Sequence, residues 1–337
     1  MCECGIIVGM KKIGFLVHPR TTKDVIRKYP VFRFLPNWLF NKITYMMPPI
    51  KVSKITGLIN HKQEVVEGHV LGIVMSPEQM TENRDQALKK IIQATKKAKK
   101  LGIGIMGLGA MTASFSKGGL DILEEVTEVG ITTGRAYTTK TVTDYVKDVI
   151  ERFSLPKEKV IVGVVGGAGS IGSSCAKVLH RWGIQHIVLI DMARKAETLH
   201  AHAKEMDKIR VDVSHDVNDI KHCDIIITAT SAPEALITKD LVHPGMVIIN
   251  DAQPTDIDIA VIKEREDVLV IEGGVVHTKD VHSNFRMGPR GKDENYCCLA
   301  EVLVLGHHGH FENYAIGNLD LTLVEHIEEK AKPLGFK

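Results

Sequence analysis

Apolar residues follow two alternating rhythms along this chain. In some places they gather in short unbroken runs, and in others they recur every three or four positions. Before about Leu155 the runs IGFLVHP, HVLGIVMS and IGIMGLGA predict strands. The stretch 77–100 predicts one long helix, and TKTVTDYVKDVIERF predicts another. From Lys159 the runs become denser: VIVGVV, HIVLIDMAR, KIRVDV, DIIITAT, MVIINDA and VLVIEGGVV. Six such runs separated by helix-length connections predict a doubly wound parallel sheet with both faces covered. The segment SLPKE, at 154–158, has the proline and charge of a linker. The expected architecture is α/β throughout. A first α/β domain over 10–155 should take the substrate, and a Rossmann dinucleotide-binding domain should span 156–284. A C-terminal helical segment covers 285–337.

The turn after VIVGVV carries the first chemistry. Gly167, Ala168, Gly169, Ser170, Ile171 and Gly172 form G-x-G-x-x-G between a predicted strand and a predicted helix, which is the context that gives the motif meaning. Gly167 permits the tight turn, Gly169 lets backbone approach a pyrophosphate, and Gly172 packs helix against strand. Phosphates then face the positive helix N-terminus. Asp191 ends the next strand, where a carboxylate can hydrogen-bond the adenosine ribose and so favours NADH. Arg194 and Lys195 follow closely and suit a 2′-phosphate if Asp191 turns away, or else begin the next helix. In TATSAP, Ser231 is a candidate nicotinamide contact or a helix cap. Gly273 and Gly274, in EGGVV, would let backbone come close to the nicotinamide ring.

Composition narrows the partners. The 337 residues are 44% hydrophobic and 25% charged with a net charge of +2, which gives no support for a nucleic-acid binder. No apolar run reaches the ~18 residues needed to span a bilayer, and no signal peptide is visible. Six cysteines in a chain of this length read as reduced thiols of a cytoplasmic protein. The Cys2-x-Cys4 pair in MCECGIIVG lacks a partner motif with ligand spacing, and a dispensable leader is the simpler reading. Six of the 17 aromatic side chains fall between Tyr29 and Tyr45, in YPVFRFLPNWLFNKITY. They form either a satellite core under a loop or an apolar surface for a greasy ligand or a membrane interface.

The densest block is KDENYCCLAEVLVLGHHGHFENY, at 292–314. Asp293 can cap a helix that Gly306 stops, which places Cys297 and Cys298 about one turn inside. The helix dipole, with Arg286, Arg290 and Lys292 upstream, would favour a thiolate. Neighbouring helical residues point about 100° apart, so the two thiols cannot share a task. Cys298 shares a face with Val302 and Leu305, and Cys297 one with Glu301 and Val304. Either can simply be a small buried hydrophobe. His307, His308 and His310 could join a cysteine on a metal, but they lie roughly 15 Å further along the helix, and histidines at a helix C-terminus can simply be solvated or bound to its free carbonyls. Beside a nicotinamide domain, a thiolate suggests thioester chemistry.

The chain resembles the long-chain acyl-[acyl-carrier-protein] reductases of the cyanobacterial type, which make fatty aldehydes. The likeness runs through MPP and ITG at 47–57, LGA at 108–110, TTG at 132–134, VGGAGSIGS, TSAP, GGVV and CLAEVLVLG…N…G. It implies that Cys298, and not Cys297, is the nucleophile, and that the first domain and the C-terminal segment build the acyl pocket. The implied reaction takes an acyl group from acyl carrier protein or coenzyme A and reduces it to an aldehyde. Donors for the oxyanion would be backbone N–H groups at the helix start or near Gly273 and Gly274. The lysine run 96–100 could meet an acidic carrier, or be a solvated helix face. An apolar acyl-pocket surface would allow membrane association, and a homo-oligomer is compatible with all of this. Two departures stand out. The family uses NADPH where Asp191 leans toward NADH, and Phe311 occupies the place of a family histidine. Two alternatives stay open: a shikimate- or amino-acid-dehydrogenase-like oxidoreductase without a covalent intermediate, and a non-catalytic NAD(H)-binding protein.

Overall fold

The structure, a computed structural model, describes residues 11–232, 234–284 and 293–336. Cys2, Cys4, Arg286, Arg290 and Lys292 lie outside the described residues. The chain forms two compact units. One comprises the residues up to Gly134, His277–Gly317 and the end from Lys330; the other comprises Arg135–Val276 and Asn318–Glu329. These limits differ from the sequence-based division at 155/156 and 284/285. The helix Arg135–Arg152 sends Val142, Val146, Val149 and Ile150 into the core of the second unit, so the division falls before it and not at the proline-containing SLPKE. The described residues of 285–337 are likewise no separate segment, because the helix Cys297–His307 packs on strands of the first unit.

In the first unit the strands are β1 (Lys12–Val17), β2 (Ile50–Thr56), β3 (Gly68–Gly72), β4 (Ile103–Leu108) and β5 (Gly130–Thr132). β3, β1, β4 and β5 lie side by side and parallel. β2 joins β3 antiparallel, and the two-residue strand His282–Ser283 pairs antiparallel with β2 at the edge. The central strands are buried along their whole length, as expected where helices cover both faces. One face packs Leu16, Leu71, Ile73, Met106 and Leu108 against Ala87, Ile91, Ala94 and Ala98 of the helix Arg84–Lys100. On β1 and β4 lies the helix Cys297–His307, in which every residue from Leu299 to Gly306 is buried. An all-round apolar helix of this kind belongs in a core, and each large side chain contributes about 1.5–3 kcal/mol by burial.

The predicted helix over 77–100 is two helices, Pro77–Glu82 and Arg84–Lys100. Ser76 and Gln79 form a reciprocal capping box at the first start. The Asn83 side chain accepts the Gln86 N–H at 3.0 Å and opens the second.

The second unit contains β6 (Ile161–Val165), β7 (His186–Ile190), β8 (Arg210–Ser214), β9 (Ile225–Thr228), β10 (Val247–Asn250) and β11 (Leu269–Glu272). Their spatial order is β11-β10-β9-β6-β7-β8, all parallel. This is the doubly wound Rossmann order, with the chain reversing direction across the sheet between β6 and β9. Alternate residues of one strand serve opposite faces: Ile187 and Leu189 enter one core, Val188 and Ile190 the other. One expectation fails locally. Among the described residues no helix lies between β9 and β10 for Ser231 to cap; turns containing Ile237, Leu241 and Val242 cover that face.

Candidate functional site

In the second unit the turn 166–169 leaves β6 and enters the helix Ser170–Trp182. The strained turn position is Gly166, with φ +88°, and not Gly167. A Cβ on Gly166 would stand 2.6 Å from the Ala229 carbonyl oxygen, so only glycine fits there. The doubled glycine in VGGAG was the sequence signal for this extra requirement. At Gly172 a Cβ would lie 2.5 Å from the Gly166 carbonyl oxygen and 3.2 Å from Val164 Cγ1, so the helix passes close to the end of β6. Gly169 is the N-cap, no side chain caps this helix start, and its first turn has no acidic residue. Ser170 and Ile171 form that first turn and are half-buried. Uncapped helical N–H groups behind a loop without side chains suit a dinucleotide pyrophosphate.

Asp191 follows β7. Its carboxylate accepts the Ala168 N–H at 3.2 Å and the Met192 N–H at 2.8 Å, and Lys195 Nζ donates to it at 3.2 Å. The acid therefore ties the glycine turn to the end of β7, with its side chain only 5% exposed. Arg194 is exposed beside it.

Further along the carboxyl edge of this sheet, Thr228 Oγ1 donates to Asn250 Oδ1 at 3.0 Å, and Asn250 Nδ2 donates to Glu272 at 3.3 Å. In the same TATSAP stretch Thr230 donates to Asp256 at 2.6 Å, while Ser231 is exposed. The Gly273 N–H donates to the Asn250 carbonyl at 2.8 Å, which engages it in the sheet and withdraws it as an oxyanion donor. Gly274 lies where a Cβ would be 2.7 Å from Asp251 Oδ1. Burial, with Asp256 and Glu272 nearby, pushes the Asp251 carboxyl up to about 8. Asp251 was not legible as special in the sequence; its only signal is an acid directly after an apolar strand.

In the first unit the helix carrying the cysteines begins at Cys297, with Tyr296 as N-cap and no side-chain cap. Asp293 is not its cap: it pairs with His282 at 3.0 Å. Cys298 is therefore the second helical residue, closer to the positive helix end than the sequence suggested. The first thiol is 1% exposed and packs as a core residue, while Cys298 is partly accessible.

The TTG motif meets this helix. Gly134, at φ +77°, presses its backbone on Cys298, and a Cβ there would sit 2.3 Å from both Cα and Cβ of Cys298. Glu301, one turn beyond, is fully buried. Its Oε1 accepts the Gly134 N–H at 3.0 Å and a short hydrogen bond from the Thr132 hydroxyl. Thr133 Oγ1 donates to the Ala315 carbonyl at 2.5 Å, and Ile131 N–H to Asn313 Oδ1 at 2.9 Å. Burial and the Glu301 charge push the Tyr314 phenol up. The stretch 131–134 is thus held between 298–301, which carries the thiol, and 313–315. The sequence singled out TTG and the cysteine but gave no role to Glu301.

The histidines serve the backbone. His307 Nδ1 is 2.6 Å from the Ile59 carbonyl oxygen, and His308 Nε2 is 2.8 Å from that of Lys330. No group of three or more His, Cys, Asp or Glu side chains among the described residues is arranged to hold a metal ion. In the lysine run, Lys96 and Lys99 pair with Glu125 and Glu128, and Lys97 donates to the Pro49 carbonyl at 2.7 Å.

Comparison with known proteins places the dinucleotide domain among oxidoreductases. Residues 147–273 match the family described as shikimate / quinate 5-dehydrogenase. The chain is 25% identical to the long-chain acyl-[acyl-carrier-protein] reductase of Synechococcus elongatus over 340 residues, covering 96% of this chain and 97% of that one. It is also 25% identical to the aminotransferase PigE of Serratia sp. over 96% of its own length, but spans only 39% of that protein. A 105-residue part is 37% identical to glutamyl-tRNA reductase of Methanococcus maripaludis, covering 30% of this chain and 26% of the relative. The chain is thus related to reductases, with a Rossmann nucleotide domain.

Proposed function

We propose that this protein is an NAD(P)H-dependent reductase of long-chain acyl thioesters that works through an acyl group carried on Cys298 and releases an aldehyde. The observation that carries this reading is the placement of Cys298: a half-buried cysteine at a helix start, with the Gly134 backbone against it and the neighbouring cysteine fully buried. The near end-to-end likeness to a long-chain acyl-[acyl-carrier-protein] reductase supports the substrate class.

In this reading the Cys298 Sγ–H gives up its proton, and Sγ attacks the thioester carbonyl of acyl carrier protein or coenzyme A. The new S–C bond forms as the carrier's S–C bond breaks, and the carrier leaves as a thiol after taking a proton. A bound nicotinamide cofactor supplies hydride. Hydride and a proton added to the enzyme thioester give a hemithioacetal, which collapses to aldehyde and regenerates the Cys298 thiol. Helix-start N–H groups near Cys298 are suited to the developing oxyanion. Gly167, Ala168, Gly169, Ser170, Ile171 and Gly172 would hold the pyrophosphate. Asp191 would meet a ribose 2′-hydroxyl, and Arg194 a 2′-phosphate. Comparing NADH with NADPH in the assay decides between them.

The test is aldehyde formation from palmitoyl-CoA and palmitoyl-acyl carrier protein with each nucleotide, for wild type and Cys298→Ala. Wild type should produce aldehyde, and the variant should lose on the order of a thousandfold or more in rate while still binding nucleotide. A variant retaining the wild-type rate would eliminate the covalent route. The dehydrogenase match over 147–273 favours a second reading, hydride transfer to a small keto or hydroxy acid without a covalent intermediate. Thioester-independent turnover insensitive to Cys298→Ala would select it.

A further inference from the structure

We propose that the segment 20–46 is a docking face that seats the protein on the surface of a bilayer containing anionic lipid. Four large apolar side chains stand out of this segment into solvent: Val31 at 64%, Phe34 at 72%, Trp38 at 68% and Met46 at 71% exposure. They are the four most exposed large hydrophobics among the described residues, and they fall within one short stretch. Solvent-facing aromatic and aliphatic groups at this density mark an interaction surface.

The face is held in place from behind. Val25, Phe40 and Val74 form a small core, with Tyr29, Phe32, Leu35 and Met47 packed on it. The buried Lys90 ammonium donates to the Thr44 and Met47 carbonyls at 3.2 and 2.9 Å, closing the C-terminal end of the helix Asn37–Met46. The Asn83 amide reaches the Tyr45 hydroxyl at 2.8 Å. One side of the segment is therefore ordinary core, while Trp38, Lys42 and Met46 fall on an outward stripe of that helix at i, i+4 and i+8.

Charge selects the occupant. The segment contains Arg20, Lys23, Arg27, Lys28, Arg33 and Lys42 against a single acid, Asp24, although the whole chain is nearly neutral at +2. Asp24 lies between two of these cations, 3.4 Å from Arg20 and 3.8 Å from Arg27. A second copy of the same face would meet like charge, which opposes self-association. Exposed Trp and Phe interleaved with Lys and Arg are the makeup of segments lying in the headgroup layer, where rings enter the acyl boundary and cations meet lipid phosphates. Such a seat needs no concave partner surface. It is interfacial, since among the described residues no helix is long and apolar enough to cross a membrane. The proposal is independent of the chemistry assigned to Cys298.

The test uses the full chain with vesicles of phosphatidylcholine alone and of phosphatidylcholine mixed with phosphatidylglycerol. Cosedimentation should appear with the mixed vesicles and weaken as salt rises. In a Trp182→Phe background, Trp38 fluorescence should shift to the blue and become shielded from an aqueous quencher. Phe34→Ala with Trp38→Ala, and separately Arg33→Glu with Lys42→Glu, should each lower partitioning at least about tenfold. All four positions are exposed, and an unchanged melting temperature verifies that each variant is folded. Failure to bind mixed vesicles, or binding indifferent to both double variants, overturns the proposal. So does a wild-type dimer, seen by light scattering, that the same substitutions dissociate.

Discussion

The nucleotide turn of the second unit and the thiol site of the first unit are built by opposite means. The turn is one continuous stretch, 166–172, with glycine at four of its seven positions, leading into a helix start that no side chain caps. The thiol site joins 131–134, itself tied to 313–315, with 298–301, and depends on one buried carboxylate, Glu301, to link loop and helix. A site made of backbone can be read as a motif. A site made of converging side chains cannot, because the sequence does not show which distant residues meet.

The comparison is sharpest at two glycines. Gly134→Ala should be the most damaging substitution short of the nucleophile. It combines φ +77° with a Cβ 2.3 Å from the Cys298 backbone, and the expected loss is about 3 kcal/mol or more of stability by denaturant unfolding. Gly172→Val places bulk against the Gly166 carbonyl and should weaken nucleotide binding at least about tenfold by titration calorimetry, with reactivity of Cys298 toward a thiol probe retained. If Gly134→Ala were neutral, the close approach of the TTG turn to the cysteine would be wrong.

Glu301 separates hydrogen bonding from charge. Glu301→Ala leaves the Gly134 N–H and the Thr132 hydroxyl without their acceptor in a buried place and should cost about 2–4 kcal/mol. Glu301→Gln keeps an acceptor oxygen and should recover most of that loss. Equal damage from both would show that the charge itself is required.

The smallest effect concerns Asp251. Its carboxyl is held up to about 8 in the folded protein but ionises near 4 in an unfolded chain. Between those values the native state binds the extra proton, so this group makes stability fall as pH rises through that window. Asp251→Asn removes the titration. Its melting temperature relative to wild type should therefore rise by a few degrees between about pH 5 and about pH 8. A constant difference would place the carboxyl at an ordinary value.

The same contrast explains what could be read from residues alone. β1, β3 and β4 of the first sheet, the six strands of the second and the glycine turn rest on local rules of periodicity and turn chemistry and were legible, whereas β2, β5 and the short edge strand His282–Ser283 were not. Gly166 was missed because the motif register assigns the turn to Gly167, whereas the positive φ falls one residue earlier. The break at Asn83 was readable from an asparagine capable of capping, but the apolar rhythm continues across it. Asp293 looked like a cap until His282, distant in sequence, took it. Among the described residues no helix joins β9 to β10, although the spacing of the apolar runs allows one.

The proposed reaction turns on whether Cys298 carries the acyl group. The direct measurement is intact-protein mass after mixing with palmitoyl-CoA or palmitoyl-acyl carrier protein without nicotinamide, for wild type and Cys298→Ser. The account predicts a palmitoyl adduct on wild type alone, discharged as aldehyde when NADH or NADPH is added. No adduct from either donor, or an equal adduct on Cys298→Ser, would contradict it.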